Sequence, residues 1–186
     1  MFDYKKYWEN NKTDMVDQAK PSGTRQVQIE KIIEVLKPFD FNSVLELGIG
    51  FGRVTKEILD HYKIDRYTGL DLSQRYLDMV VERIPKVATV QSTIQDFETD
   101  ESWDIVLAVE FLMHIPPQDI DKTIKKMADW SRKAIVSLDY YPTKEARFEK
   151  LADHNWEYDY KEKYEKYGLN VTIHRISHLQ AVFVAT

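Results

Sequence analysis

The stretch Val44-Leu45-Glu46-Leu47-Gly48-Ile49-Gly50-Phe51-Gly52-Arg53 constrains this chain more than any other: an apolar run meets three alternating glycines, and helical spacing follows. Glycine admits positive φ and lets a ligand approach the main chain where a side chain would collide. The start of a helix presents backbone N–H groups with no partner inside the helix. Strand, glycine turn and helix in that order read as the first unit of a nucleotide-type cradle. Glu46 stands just before the first glycine. Its charge repels a pyrophosphate and attracts a ligand that carries a cationic group.

The rest of the chain repeats strand and helix. Thr24 caps a helical pattern through Ile32, Ile33 and Leu36, with Pro38 just past its end. After the glycine turn, the spacing predicts a helix over Arg53 to Tyr62, a strand over Arg66 to Leu70, and a helix that Ser73 caps and that buries Tyr76, Leu77, Val80 and Ile84. Val87 to Val90 reads as a short strand. Trp103 to Val109 is nearly continuous and apolar, as a strand covered on both faces must be, and belongs at the centre of a parallel sheet. A helix over Gln118 to Trp130 and a strand over Lys133 to Leu138 follow. Residues 143–167 read as amphipathic helical material, and Leu169 to Ile176 with Leu179 to Ala185 as a closing antiparallel hairpin.

Composition narrows the function classes. A chain of 186 residues suits one domain, here residues 24–186, with residues 1–23 as an N-terminal arm. Tyr4, Tyr7 and Trp8 in that arm read either as surface packing or as a lid whose aromatic faces attract a cation. A net charge of −5, from 26 basic and 31 acidic residues, gives no general attraction to a phosphate backbone, so nucleic acid is not the expected partner. The absence of cysteine removes disulfides, thiol nucleophiles and cysteine-ligated metals. His61, His114, His154, His174 and His178 form no close pair with a matching carboxylate set, so no metal site is expected. No stretch is apolar enough to cross a bilayer, and the opening residues lack the apolar run of a signal peptide, which predicts a cytoplasmic location.

Asp71 lies 19 residues beyond Gly52, at the carboxyl end of the second strand. An acidic residue there is placed to accept both hydroxyls of a ribose, although a turn or capping aspartate also suits the position. Glu110 ends the central strand, and His114 follows in Phe111-Leu112-Met113-His114-Ile115-Pro116-Pro117. Both fall near the edge where open α/β sheets bind ligands. His114 reads as a histidine satisfied by backbone or as a general base. Arg25, near the start of the first long helix, is either solvent-facing or within reach of a ligand carboxylate.

The order Glu46-x-Gly48-x-Gly50-x-Gly52, Asp71, Asp96 and Glu110 to Pro117 resembles the motif order of class I S-adenosylmethionine-dependent methyltransferases. The resemblance covers residues 24–186. It implies a Rossmann-like three-layer α/β/α sandwich whose seven-stranded, mostly parallel sheet has an antiparallel last strand. It implies S-adenosyl-L-methionine as methyl donor and S-adenosyl-L-homocysteine as product. Glu46, the three glycines, Asp71 and Leu72 would then face the donor, Asp96 would accept from the adenine amino group and the Phe97 main-chain N–H would donate to the ring. Glu110 and Arg25 would meet its amino-acid end, and His114 would take a proton from the acceptor. Tyr140 and Tyr141 read as stacking surface or as acceptor-site walls, and His154 reads as part of an acceptor site or as an ordinary surface-helix residue.

The Asn-Pro-Pro-aromatic tetrapeptide of similar enzymes acting on nucleobase amines or glutamine side chains is missing; Glu110-Phe111-Leu112-Met113 stands there. This and the acidic balance point to a small-molecule acceptor, methylated on oxygen or nitrogen. Two rivals share part of the pattern. An NAD-dependent oxidoreductase would use the glycine turn and Asp71 but is disfavoured by Glu46 and the terminal strand pair. A non-catalytic partner subunit would keep the fold without the ligand.

Overall fold

The apolar run Trp103–Val109 forms β4 at the centre of the sheet, with β1 (Ser43–Leu47) on one side and β5 (Ser131–Tyr140) on the other, both parallel to it. The computed structural model describes residues 4–9, 23–141, 150–152 and 155–186. β2 (Arg66–Asp71) pairs parallel with β1, and β3 (Ala88–Gln91) parallel with β2. At the other edge β9 (Gln180–Ala185) runs antiparallel to β5, and β8 (Val171–Arg175) pairs antiparallel with β9. The order β3-β2-β1-β4-β5-β9-β8 makes a seven-stranded sheet in which one strand is reversed, as the sequence pattern implies.

Alternate side chains of the central strands feed two separate cores. Val44, Ile105, Leu107, Val136 and Leu138 pack with α2 (Gly23–Leu36), α3 (Arg53–His61) and α4 (Gln74–Arg83). Leu45, Leu47, Val106 and Ala108 pack with α5 (Ile120–Trp130) and with Tyr160 and Tyr164 of α6 (Tyr160–Glu165) on the opposite face. Both faces are therefore covered, which is why these strands read as apolar runs rather than as alternation. A short helix α1 (Tyr4–Glu9) precedes α2 in the chain.

The segment before α6 departs from the helical expectation. β6 (Lys150–Ala152) and β7 (Asn155–Trp156) form a small antiparallel pair, and the helix is confined to Tyr160–Glu165. Trp156, Tyr158 and Tyr160 recur at every second residue, an extended period that wins over the helix-favouring Lys and Glu around them. Tyr158 and Tyr160 are buried. Tyr158 donates to the Ile115 carbonyl at 2.6 Å, tying this segment to the loop after β4.

The chain leaves β1 toward β2 on one side, and β4 lies against β1 on the other. Connections diverge between these two strands, so a crevice opens at their carboxyl ends. The glycine turn follows β1 and Glu110 follows β4, which sets both at this crevice.

Candidate functional site

The glycine turn is held by its neighbours. Gly48 and Ile49 both donate to the Leu70 carbonyl, at 2.8 and 3.1 Å. Gly48, Gly50 and Gly52 have φ of 68°, 54° and 79°, in the left-handed region that a side chain resists. A Cβ on Gly48 would stand 2.5 Å from the Phe111 ring, whereas one on Gly50 would meet nothing within 4 Å. Gly50 lines a cavity of about 650 Å³ at the switch point. Gly52 caps α3 and lies off the cavity lining, packed toward Ile84 and Val80, so its role is the helix start. Gly69, which the motif does not include, matters as much: a Cβ there would fall 2.2 Å from Ile49 Cδ1.

Asp71 closes the turn. Its Oδ2 accepts the Gly50 N–H at 2.8 Å and its Oδ1 accepts the Ser73 N–H at 2.9 Å. Burial raises its pKa above the ordinary carboxylate value, against the lowering effect of these backbone donors. Asp71 and Leu72 both line the cavity. The turn expectation for Asp71 is met by these bonds, and its place on the lining leaves the side chain at the cavity.

Glu46 also lines the cavity but is buried beneath the turn. Its Oε2 accepts from Thr55 Oγ1 at 2.5 Å and from Tyr67 OH at 2.6 Å. Burial pushes its pKa up to about 7 despite those two donors, and pushes the Tyr67 hydroxyl well above its usual value. Thr55 and Tyr67 escaped sequence reasoning because a threonine on a helix and a tyrosine in a strand read as ordinary core.

Glu110 adopts φ 52°, strained for a side chain larger than glycine. Its Oε1 accepts from Gln28 Nε2 at 3.1 Å and Gln180 Nε2 at 3.0 Å, and its Oε2 meets an Arg53 guanidinium nitrogen at 3.3 Å. Arg53 also donates to Gln28 Oε1 at 3.2 Å. Burial lowers the Arg53 pKa, and the Glu110 charge opposes this. Gln28, Arg53 and Gln180, together with Arg25, line the cavity beside Glu110. No motif points to the two glutamines, which come from α2 and β9 and meet only in the fold.

His114 sits in a 3₁₀ turn, Leu112–His114, and lines the cavity, as does Trp8. The two rings meet edge to face with centroids 4.6 Å apart. Asp139 holds this turn from behind: its Oδ1 accepts the Met113 N–H at 3.1 Å, and full burial drives its pKa well up. Asn155 also lines the cavity, although its Oδ1 is buried and has no hydrogen-bond partner among the described residues.

Four expected residues stand elsewhere. Asp96 and Phe97 do not line the cavity; the Phe97 N–H donates to the Thr93 carbonyl at 3.0 Å, and its ring packs on Trp130 at 5.3 Å. A helical turn from Thr93 thus occupies the donor that was expected to meet a ligand ring. Tyr140 and Tyr141 also lie off the lining, and Tyr141 stacks on Phe183 with the Arg175 guanidinium 3.8 Å above it, which favours stacking over an acceptor wall. His154 lies outside the described residues.

A doubly wound sheet with one reversed strand, and a glycine turn closed by a carboxylate at the switch point, define a Rossmann-like domain. Residues 44–134 match the family model described as methyltransferase domain. This match, with the relatives and structures that follow, supports the resemblance to class I S-adenosylmethionine-dependent methyltransferases. Among curated relatives, phosphoethanolamine N-methyltransferase of Triticum aestivum is 25% identical over 142 residues, covering 68% of this chain and 27% of the relative. (S)-tetrahydroprotoberberine N-methyltransferase of Eschscholzia californica is 27% identical over 125 residues, covering 63% of this chain and 35% of the relative. The chain therefore spans about a third or less of the length of these two relatives. Among solved structures, the DhpI–SAH complex superposes with a TM-score of 0.76 at 16% identity, covering 98% of this chain and 92% of that one. Magnesium protoporphyrin IX methyltransferase of Synechocystis PCC 6803 with bound SAM gives a TM-score of 0.73 at 13% identity, covering 100% and 97%.

The residues present fit such a donor. Open space at Gly50 admits a ligand to the main chain, Asp71 presents carboxylate oxygens beside it, and Glu110 with Arg53 offers opposite charges for a zwitterion.

Proposed function

We propose that this protein transfers a methyl group from S-adenosylmethionine to a nitrogen of a small-molecule acceptor. One observation carries the reading: a single cavity is lined both by the Asp71-closed glycine turn and by the Trp8–His114 pair. The turn suits a ribose and the aromatic pair suits an acceptor. When bound, S-adenosylmethionine supplies a methyl carbon already activated by positive sulfur. The protein's own task is then to orient two ligands and exclude water.

Asp71 and Leu72 would hold the ribose, and Arg25, Arg53 and Glu110 the amino-acid end. Glu46, ionised above pH about 7, would add negative charge beneath a cationic donor. His114, on the lining, would take the proton that the nitrogen sheds. The N-methyltransferase names of the curated relatives agree with nitrogen as the accepting atom. Tyr7 and Trp8 line the cavity, which supports the reading of the arm as a lid that keeps water out.

Calorimetric titration with S-adenosylmethionine, S-adenosylhomocysteine and NAD tests the donor, with Asp71→Ala as control. Binding of both sulfur ligands, lost in the variant, is the expected result. Binding of NAD alone, or of none, overturns the reading.

A further inference from the structure

We infer that Asp139 and Tyr158 are positioning residues: a buried pair that touches no ligand, but pins the backbone on both sides of His114 and so sets its imidazole in the cavity. The inference rests on the reading of His114 as the group that takes the acceptor's proton.

The bonds around the 3₁₀ turn leave His114 little backbone freedom. Its own N–H donates to the Phe111 carbonyl at 3.0 Å, and the Ile115 N–H to the Leu112 carbonyl at 3.1 Å. These bonds close the turn from within but do not set its place against the sheet. Two side chains from outside the turn do that. Asp139 Oδ1 accepts the Met113 N–H at 3.1 Å, one residue before His114, and Tyr158 OH donates to the Ile115 carbonyl at 2.6 Å, one residue after it. With both neighbours pinned, the Cα–Cβ direction of His114 is fixed. The Trp8 ring, 4.6 Å away, then limits how the imidazole turns about it.

Both pins are anchored in the second core. Asp139 stands on β5, in register with Ala181 of β9. Tyr158 packs edge to face on Tyr160 with centroids 5.8 Å apart, and Tyr160 packs on Phe183 of the same β9 at 5.2 Å. The two supports therefore share one strand as their base. Asp139 is 0% exposed and Tyr158 2%, and neither lines the cavity, so they act on its wall and not on a ligand.

The chemistry of the pair argues for more than packing. A carboxyl group buried among apolar side chains costs free energy that a leucine would not, and a phenylalanine would fill the place of Tyr158 with no hydroxyl to satisfy. What the polar side chains add is the two bonds to the turn. Burial drives the Asp139 pKa well up, so the group that accepts from Met113 holds its charge poorly. An asparagine there would keep the acceptor oxygen without the charge.

The test reads the imidazole directly and needs no acceptor. The full chain holds five histidines, and the ring C–H signal of His114 in a proton–carbon NMR spectrum is the one that His114→Ala removes. In the wild type the Trp8 ring should displace that signal from its position in the urea-unfolded chain, and Trp8→Leu should remove most of the displacement. Tyr158→Phe and Asp139→Leu should each lose more than half of it, whereas Asp139→Asn should keep it. Calorimetry with S-adenosylhomocysteine runs beside the spectra. Tyr158→Phe should hold that affinity within about twofold of wild type, as for a site with no shared partner. A wild-type signal at its unfolded position, a displacement kept in Tyr158→Phe or Asp139→Leu, or one lost in Asp139→Asn overturns the assignment. So does a fall in S-adenosylhomocysteine affinity that accompanies the lost displacement in Tyr158→Phe, since the pair is then a general brace of the fold. A wild type that does not bind S-adenosylhomocysteine overturns the donor reading instead, whatever the histidine signal does.

Discussion

The Asp71 carboxylate bridges the Gly50 N–H at 2.8 Å and the Ser73 N–H at 2.9 Å, so the side chain expected to meet a ribose also locks the glycine turn to the start of α4. Shape and recognition at this site are therefore coupled through one residue.

Asp71→Ala is expected to abolish S-adenosylhomocysteine binding and to lower stability by about 1–3 kcal/mol, since two backbone donors lose their acceptor. Asp71→Asn keeps one acceptor oxygen but sets an amide N–H against the other backbone donor, and should recover part of the stability with little of the binding. Calorimetry beside thermal melting separates the two effects. Full binding in Asp71→Asn would show that shape alone matters.

Glu46 makes stability and ligand affinity depend on pH. Its folded pKa of about 7 lies above the ordinary 4.5 because burial penalises the charge. Between those values the folded state holds a proton that the unfolded chain has released. The contribution is present in full below the window and is lost as pH rises through it, to an extent on the order of 3 kcal/mol. Urea titrations at pH 5 and pH 8 should show a steeper loss for wild type than for Glu46→Gln. A cationic donor favours the ionised form, so wild-type affinity should rise from pH 6 to pH 8 relative to Glu46→Gln.

The Glu110 cluster is expected to recognise the amino-acid end of the donor. Glu110→Ala should weaken S-adenosylhomocysteine by about tenfold or more, as for loss of a charged hydrogen bond, and leave 5′-methylthioadenosine, which lacks that end, nearly unchanged. Equal losses for both ligands would instead make the cluster a brace among α2, α3 and β9.

His114→Ala should leave donor binding intact and slow turnover on an amine acceptor by about 10²–10⁴-fold, the usual scale for a general base. Trp8→Ala should raise KM for the acceptor through loss of the ring that packs on His114. Unchanged turnover in His114→Ala removes it from the chemistry.

The α/β architecture was legible in the chain because it depends on local periodicity. Glycines Gly48 and Gly50, the Trp103–Val109 run and the closing hairpin each carry their signal within a few residues, and the seven-stranded sheet with a reversed last strand is the one the resemblance implies. Asp71 was legible as well, since its distance along the chain from the glycines follows from one strand–turn–helix unit.

What the chain alone did not decide depends on which way a side chain turns once elements pack. Asp96 and Gln95 are neighbours in sequence, but only Gln95 lines the cavity, and Lys126, an α5 side chain 31 positions from Gln95, helps to fix their loop. The period-two aromatics at Trp156, Tyr158 and Tyr160 overrode a helical composition because burial against the far face of the sheet outweighs propensity. Gln28 and Gln180 meet Glu110 across separations of 82 and 70 residues, a contact that no pattern along the chain encodes. Local periodicity fixed the elements of this protein, whereas long-range packing and the satisfaction of buried polar groups chose the residues that line the cavity.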